Sequence, residues 1–340
     1  MTEHFWLGMA LIFLGGAMNG CFPLPMKYAR WKWENTWLAF TFFALLALPW
    51  ILAGGFVPDL RGVYSSVPSR ALLLPLTFGF FWGIAQVTFG LGISAVGMAL
   101  AFSVVAGLSC LSGALIPLLV LSPGDLLRPR GLLLLVSMPI LFAGLALYGA
   151  AGRRREREQA TPNAATSAAR SFAVGLGICI FTGIFGSNIN LGFAFGGDVQ
   201  RSGLAHGAST VTSTYAVWAL VLGAGFIPNL VYCLYLLVRD RHYRLFAEAG
   251  RGREVLLAGA MAVLWLGGMV TYGIGATLVG KYGTSLGYTL LIAAMILASN
   301  SLGLLTGEWK GTSSGTRRLL AAGAAVVLVS VVVLNLGGLF

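Results

Sequence analysis

The chain has 340 residues, of which 57% are hydrophobic and only 10% are charged. This balance excludes a soluble domain of the same size, because so few charges could not cover its surface. The net charge of +11 is carried by short clusters between apolar runs, where positive charges set membrane topology rather than bind nucleic acid. The composition therefore predicts a membrane protein that is surrounded by a lipid bilayer and has no nucleic-acid partner.

Ten apolar runs are long enough for helices that cross a hydrocarbon core of about 30 Å, which takes roughly 20 residues. They lie at about 5–26, 36–56, 71–92, 95–121, 131–151, 171–195, 208–238, 255–279, 283–306 and 317–338. In lipid, a helix satisfies its own backbone hydrogen bonds within one segment. We therefore predict an all-α polytopic membrane protein with ten transmembrane helices, numbered below as spans 1 to 10.

Positive charges are unevenly divided between the connections. The connections after spans 1, 3, 5, 7 and 9 hold 16 of the 22 Lys and Arg residues. In multi-pass membrane proteins the cytoplasmic loops carry this excess. We predict that these connections are cytoplasmic and that both termini are periplasmic.

The longest polar connection, "GRRREREQATPNAATSAARS", begins at residue 152. We interpret residues 152–170 as a solvated, basic cytoplasmic linker between two five-helix repeats, residues 1–151 and 171–340. Because five is odd, equivalent helices would cross in opposite directions, as in transporters built from inverted repeats. A shift of 186 positions aligns Gly97 with Gly283 and Phe102 with Tyr288. It predicts that spans 4 and 9 are symmetry partners.

Titratable side chains are scarce inside the predicted spans. None of the 11 acidic residues falls near the middle of a span, and the 3 histidines lie in the N-terminal segment or the connections. The 4 cysteines are scattered through apolar runs, where a small inert side chain is typical. A hydrolytic triad or a metal centre would need partners that this pattern does not offer. We predict that the protein is not an enzyme and that it has no metal and no cofactor.

Neutral amides and aromatic rings are found inside the spans instead. A buried amide needs a partner in another helix or in a wet cavity, and a helix–helix contact would explain any single one. As a set, they favour a neutral polyol substrate, because amides exchange hydrogen bonds with hydroxyls and aromatic faces pack on sugar rings. Trp82, Gln86 and Phe89 share one face of span 3. The candidate substrate-binding residues are Asn19, Lys27, Trp82, Gln86, Phe102, Asn188, Asn190, Tyr272, Tyr288 and Asn300.

The stretch "NGCFPLPMKYARWKWENTW", residues 19–37, joins span 1 to span 2. Pro23 and Pro25 lack backbone donors and would free carbonyls beside a cavity. Lys27 would then close that cavity or bind substrate, and membrane anchoring is the alternative. Three tryptophans of the stretch are interpreted as an interfacial belt: Trp31, Trp33 and Trp37. Two carboxylates are expected to stabilise helix ends or to pair with basic residues: Glu34 and Glu308.

Residues that match the pattern of one family follow each other along the chain. In the first stretch they are Cys21, Phe22, Pro25, Lys27, Trp33, Glu34 and Trp37. Further on they are "LPW" at 48–50, "YSS" at 64–66, "WG" at 82–83, "GIF" at 183–185, "LGG" at 266–268 and "GEW" at 307–309. Through these residues the sequence resembles the L-rhamnose–proton symporter family of the drug/metabolite transporter superfamily.

The resemblance implies two inverted five-helix repeats, a central sugar site lined by spans 1, 3, 4, 6, 8 and 9, and proton-driven uptake across a bacterial inner membrane. It predicts a secondary active transporter that imports L-rhamnose, or a similar monosaccharide or polyol, by alternating access. The alternatives are a metabolite or drug exporter of the same superfamily, an uncoupled sugar facilitator, and a membrane scaffold that transports nothing.

Proton coupling requires a titrating group that both sides of the membrane reach in turn. Asp198 and His206 follow span 6, and imidazole has a suitable ordinary pKa. Span 6 is the expected partner of span 1, so Asp198 would approach Lys27 at the cavity mouth, and the lysine would lower the carboxyl pKa. We predict that Asp198→Asn abolishes gradient-driven accumulation and leaves sugar binding intact, with His206 as the second candidate.

Overall fold

The protein is described by a computed structural model over residues 4–96, 98–159, 169–248, 250–307 and 309–336. Within these ranges, ten helices are long and apolar enough to cross a membrane. The prediction of an all-α polytopic membrane protein is confirmed.

The spans have the following bounds. They are span 1 (Phe5–Cys21), span 2 (Trp33–Phe56), span 3 (Ser69–Val96), span 4 (Met98–Leu121), span 5 (Pro129–Gln159), span 6 (Ala169–Gly186 and Asn188–Ala194), span 7 (Ser213–Arg239), span 8 (Arg251–Val279), span 9 (Gly283–Leu305) and span 10 (Ser314–Leu336). Shorter helices lie in the connections at Leu24–Tyr28, Leu60–Ser65, Pro123–Asp125, Gly197–Ala205 and His242–Ala247.

Within the described residues, spans 2 and 6 are irregular. Span 2 contains a π-helical segment, Phe42–Ala47, two residues before Pro49. A proline ring crowds the preceding helical turn, and proline has no backbone N–H to donate. The wider π-helical turn accommodates both effects. Span 6 is interrupted at Ser187, and its second part, Asn188–Ala194, is buried except at its last residue.

Span 5 continues beyond its predicted end. The basic residues 152–159, which were expected to begin the linker, remain helical to Gln159. The Glu158 carboxylate accepts hydrogen bonds from the backbone N–H and the hydroxyl of Ser313, at 2.8 and 2.6 Å, and from the Thr316 hydroxyl at 2.7 Å. This carboxylate caps the start of span 10, which explains why the helix extends into polar sequence.

Spans 1 and 8 approach each other closely through glycines. A Cβ added to Gly268 would lie 2.6 Å from the carbonyl oxygen of Gly15, and one added to Gly8 would lie 2.8 Å from that of Gly275. Without a hydrophobic driving force between helices in lipid, small residues that bring backbones together supply the packing energy. Span 1 is thereby held against span 8, and it also packs against span 9.

Contacts between the connections fall into two groups at opposite ends of the helices. We call the end that holds the connections after spans 1, 3, 5, 7 and 9 the basic face, and the other end the opposite face. The Lys27 ammonium donates to the Thr306 hydroxyl at 3.1 Å on the basic face, and Ser66 and Ser202 hydroxyls lie 2.7 Å apart on the opposite face. This separation agrees with ten membrane crossings.

Candidate functional site: a central cavity

A cavity of about 230 Å³ lies at the centre of the helices. Its walls come from spans 1, 3, 4, 6, 8 and 9, as expected, and also from span 2 through Trp37. No charged side chain lines it among the residues that the structure describes. Spans 5 and 10 pack against each other outside it. The cavity therefore suits a neutral molecule.

Aromatic rings form one side of the cavity. Trp82 of span 3 stacks on Trp265 of span 8, with ring centroids 5.6 Å apart and an interplanar angle of 22°. The edge of Trp265 meets Phe40 at 6.3 Å, and Phe40 stacks on Phe22 at 5.3 Å. These rings hold each other in place, and Trp82, Trp265 and Phe22 present to the cavity an apolar surface of the kind that packs on the C–H face of a ring.

Polar groups are few and come from different helices. Asn19 and Gln86 line the cavity, as do Ser109, Thr182 and Tyr288. The Asn19 amide nitrogen donates to the Gly15 carbonyl at 3.1 Å. No hydrogen bond ties the Gln86 amide to another of the described residues. Of the two amides that line the cavity, Gln86 therefore has more capacity left for a ligand hydroxyl.

Asn190 and Tyr272, both predicted to bind substrate, are fully buried and bonded to each other. The Tyr272 hydroxyl donates to the Asn190 amide oxygen, and the Asn190 amide nitrogen donates to the carbonyls of Gly113 at 2.7 Å and Thr284 at 3.1 Å. The polar groups of the two side chains thus join spans 4, 6, 8 and 9 on the side of the cavity nearer the opposite face. This geometry gives them a structural role in the state described.

The remaining predicted substrate residues lie away from the cavity lining or outside the described part. Asn188 is buried at the break in span 6, and the Asn300 amide nitrogen donates to the Ile296 carbonyl at 2.9 Å. Lys27 lies on the basic face beside Thr306. The side chain of Phe102 is outside the described residues, and so is Glu308, so their expected roles stay predictions.

The expected approach of Asp198 to Lys27 is not observed. Lys27 lies near the start of span 8, where Arg253 donates to the Tyr28 carbonyl at 2.9 Å. The helix that carries Asp198 lies near the end of span 8, where the Gln200 amide reaches the Thr277 hydroxyl at 3.4 Å. An α-helix rises 1.5 Å per residue, so those two points on span 8 lie about 36 Å apart. Five spans separate the end of span 1 from the end of span 6, and an odd number of crossings places these two ends on opposite faces.

Asp198 and His206 are at the surface of the opposite face. Asp198 pairs with Arg201, and half of its side chain is exposed. The His206 ring contacts the Ser202 carbonyl at 2.9 Å, and its Nε2 lies 3.9 Å from the Asp59 carboxylate. The structure does not bring either residue to the cavity, and their role in coupling stays a prediction.

Trp37 was expected in an interfacial belt but lines the cavity. It stacks on Trp33 at 5.4 Å, and its indole N–H donates to the Asn229 amide oxygen at 2.9 Å. A tryptophan with an apolar ring and one donor is typical of both places. Its partner Asn229 is fully buried on span 7, and a contact across 192 residues has no local signal in the sequence.

A buried acid and a histidine meet on the basic face beneath Trp37. Glu34, at the start of span 2, contacts Nδ1 of His242. One oxygen of Asp240 lies within 4.8 Å of both. Three such groups can hold a cation, but the Arg239 guanidinium donates to both Asp240 oxygens at 2.8 Å. That fixed positive charge opposes metal binding.

The opposite face is held together by a second buried carboxylate. Asp125, between spans 4 and 5, pairs with Lys281, between spans 8 and 9, and with Arg128 at 3.2 Å. Hydrogen bonding to Lys281, and then to Tyr282, holds the pKa of the Asp125 carboxyl below its usual range. The lining of the cavity extends in the other direction, to Phe22 and Phe89, which lie on the side nearer the basic face.

Ten apolar spans around a small, uncharged central cavity define a multi-pass membrane protein of the transporter class. The model of the family described as L-rhamnose-proton symport protein (RhaT) matches residues 1–339. The chain belongs to this family.

Individual proteins show the same similarity over the whole length. The chain is 25% identical over 347 residues to an L-rhamnose-proton symporter of Pectobacterium atrosepticum, with 99% of each chain covered. It is 25% identical over 346 residues to one of Mannheimia succiniciproducens, again with 99% of each covered. A crystal structure with 15% sequence identity has a TM-score of 0.58 and covers 97% of this chain and 96% of that chain, which shows a shared fold.

Proposed function

We propose that this protein imports L-rhamnose, or a similar monosaccharide, together with protons by alternating access. The observation that carries the proposal is the central cavity, in which tryptophan faces and unpaired amide capacity surround a space without charge. Its volume of about 230 Å³ is below the roughly 300–1,000 Å³ typical of drug-sized sites. This favours a monosaccharide over the larger cargo of a drug exporter.

Within the cavity, Gln86 and Asn19 bond sugar hydroxyls, and Trp82 and Trp265 pack on the ring. Tyr288 lies across from them on span 9 and limits the depth of the cavity, because it is buried against Gly113. A site whose desolvated amide bonds a sugar hydroxyl binds an analogue without that hydroxyl more weakly, because the amide then loses its partner. Deoxy analogues should therefore bind more weakly than the parent sugar.

The protein lies in the bacterial inner membrane with its basic face in the cytoplasm and both termini in the periplasm. The uneven distribution of Lys and Arg supports this orientation. In this orientation the structure represents an inward-facing state. Support comes from the Asp125–Lys281 and Asn190–Tyr272 contacts on the periplasmic side and from the partial exposure of residues 297–302 in the cytoplasmic half of span 9.

Residues 1–151 and 171–340 form two inverted repeats joined by the segment 152–170. The packing pattern supports this arrangement. Span 1 packs on spans 8 and 9, and its proposed counterpart, span 6, packs on spans 3 and 4. Span 2 packs on spans 7 and 8, and span 7 packs on spans 2 and 3. An exchange of conformation between the repeats would move access from one face to the other.

Uptake of labelled L-rhamnose into proteoliposomes tests the proposal. We expect saturable uptake that is competed by closely related sugars and that exceeds equilibrium when the outside is made acidic. A protein that exchanges rhamnose but ignores the proton gradient would be an uncoupled facilitator. A protein without rhamnose binding in a thermal-shift assay, or with uptake only of other metabolites, would contradict the proposed substrate.

A further inference from the structure

Glu34 and His242 form an acid–imidazole pair on the basic face, in which the acid is buried and the imidazole side chain is 32% exposed. Glu34 is 8% exposed, and its carboxylate contacts Nδ1 of His242. The next residue in span 2, Asn35, donates from its amide to the His242 carbonyl at 2.9 Å. These two contacts fix the imidazole against the start of span 2, so the position of its ring is defined by the fold.

The partner of Glu34 differs from the partners of the other buried carboxylates in the described ranges. Asp125 pairs with Lys281, and Glu254 accepts from Arg253 and from the backbone N–H of Arg30 at 2.8 Å. Lysine and arginine keep their charge throughout the physiological pH range, whereas imidazole changes its charge within it. Glu34 is therefore the one of these buried carboxylates whose partner is an imidazole.

The surroundings make the protonation state of the pair important. Asp240 is neutralised by Arg239, whose guanidinium donates to both oxygens of the Asp240 carboxylate. On span 8, Arg253 and Glu254 bind each other. With neutral imidazole, the pair carries one net negative charge in a buried place. With imidazolium, it is a neutral ion pair, which is less costly to bury.

The pair is connected to the cavity through the two helices that carry it. Trp37, one helical turn beyond Glu34, lines the cavity and donates to Asn229 at 2.9 Å. Asn229 belongs to span 7, whose Tyr232 meets Trp33 at the start of span 2, with ring centroids 6.4 Å apart. A ligand that displaces Trp37, or that changes how spans 2 and 7 pack, therefore alters the same contact between these two helices that proton binding would alter.

We infer that the Glu34–His242 pair is the proton-binding site that couples the proton gradient to sugar movement, an inference that rests on the proposed function. Nδ1–H of His242 donates to Glu34, which leaves Nε2 to take a proton. The Nε2–H bond forms as a hydronium ion gives up its proton and becomes water at one face, and it breaks as water accepts the proton at the other. The protonated pair favours the state in which it is buried.

The outer loops contain a weaker counterpart of this pair. His206, before span 7, lies 3.9 Å from Asp59, after span 2, and the Asp59 side chain is 64% exposed. Glu34 precedes span 2 and His242 follows span 7, so the two contacts have the relation expected of inverted repeats. A conformational exchange between the repeats would alter both contacts.

The test uses wild-type protein and four variants in proteoliposomes. Glu34→Gln and His242→Gln remove the proton site, Glu248→Gln is a matched control with an exposed carboxylate on the same face, and Asp198→Asn represents the competing site. Each is first checked for stabilisation by L-rhamnose in a thermal-shift assay. Exchange without a gradient, accumulation with a pH gradient, and proton uptake on binding (by calorimetry in buffers of different ionisation enthalpy) are then measured.

We expect Glu34→Gln and His242→Gln to exchange rhamnose within about twofold of the wild type, to lose accumulation above equilibrium, and to lose proton uptake on binding. Glu248→Gln should behave like the wild type. Normal accumulation by both pair variants, or its loss in Asp198→Asn alone, would overturn the inference and leave the proposed function standing. A wild type that exchanges rhamnose but does not respond to the gradient would reject the coupled function and the inference together.

Discussion

The amides of Gln86 and Asn190 lie in similar apolar surroundings but have different partners. The Asn190 amide bonds two backbone carbonyls and the Tyr272 hydroxyl, whereas the Gln86 amide faces the cavity. A buried polar group that loses its partner costs about 1–3 kcal/mol. The same chemical group therefore serves stability at one position and ligand binding at the other.

Gln86→Ala should weaken L-rhamnose binding by about 1–3 kcal/mol, roughly fivefold to 150-fold in Kd, because a desolvated sugar hydroxyl would lose its partner. Titration calorimetry in detergent measures the change. Gln200→Ala, which removes an amide near Thr277 on the opposite face, is the matched control and should bind normally. Unchanged affinity in a folded Gln86→Ala protein would assign Gln86 to helix packing.

The Asp125–Lys281 contact should make thermal stability depend on pH. The pKa of Asp125 is lowered in the folded protein, so the contact stabilises above the ordinary Asp pKa and is lost as the pH falls through the lowered value. Asp125→Asn should lower the Tm at pH 7, and its difference from the wild type should disappear in strong acid. A difference in Tm that is constant from pH 7 to acid would show that charge is not its cause.

The elements show where sequence patterns suffice and where they fail. Ten apolar runs predict the ten spans because length and composition alone decide membrane insertion. The helical course of residues 152–159 could not be predicted, because it depends on Glu158 reaching Ser313, which is 155 residues away. The break at Ser187 was also missed, since no proline or charge marks it in the sequence.

Individual site residues were harder to predict than spans. Trp82, Gln86 and Phe89, which the i, i+4, i+7 pattern places on one face of span 3, all line the cavity. The pattern gave no information on which buried amides have protein partners, because those partners come from helices far away in the chain. The contact of Glu34 with His242 spans 208 residues and has no local signal.

Two glycines of span 8 provide a matched test of helix packing. A Cβ at Gly268 would lie 2.6 Å from the Gly15 carbonyl oxygen, whereas one at Gly259 would have nothing within 4 Å. Gly268→Ala should lower the free energy of unfolding by about 1–3 kcal/mol through overpacking. Gly259→Ala should be neutral or stabilising by about 0.5–1 kcal/mol, because alanine favours the helix. Tm in detergent measures both, and equal effects would contradict the proposed close contact.

At the scale of the whole molecule, the alternation of ten spans between two faces makes the orientation testable. A phosphatase reporter fused after Phe340 should be active, because this end is expected in the periplasm, and one inserted near Gln159 should be inactive in the cytoplasm. The reason is the excess of Lys and Arg on the basic face. A cytoplasmic result at both positions would mean that one crossing has been miscounted.

The π-helical segment Phe42–Ala47 in span 2 has a consequence for how this family can vary in length. A π-helical turn holds an additional residue, and its removal would restore an ordinary turn with its backbone bonds intact. Because the wider turn takes up the additional residue, the following segment, Leu48–Phe56, would keep nearly the same orientation around the helix axis. A one-residue gap between relatives at this point would therefore preserve both the helix and the set of residues that face span 7.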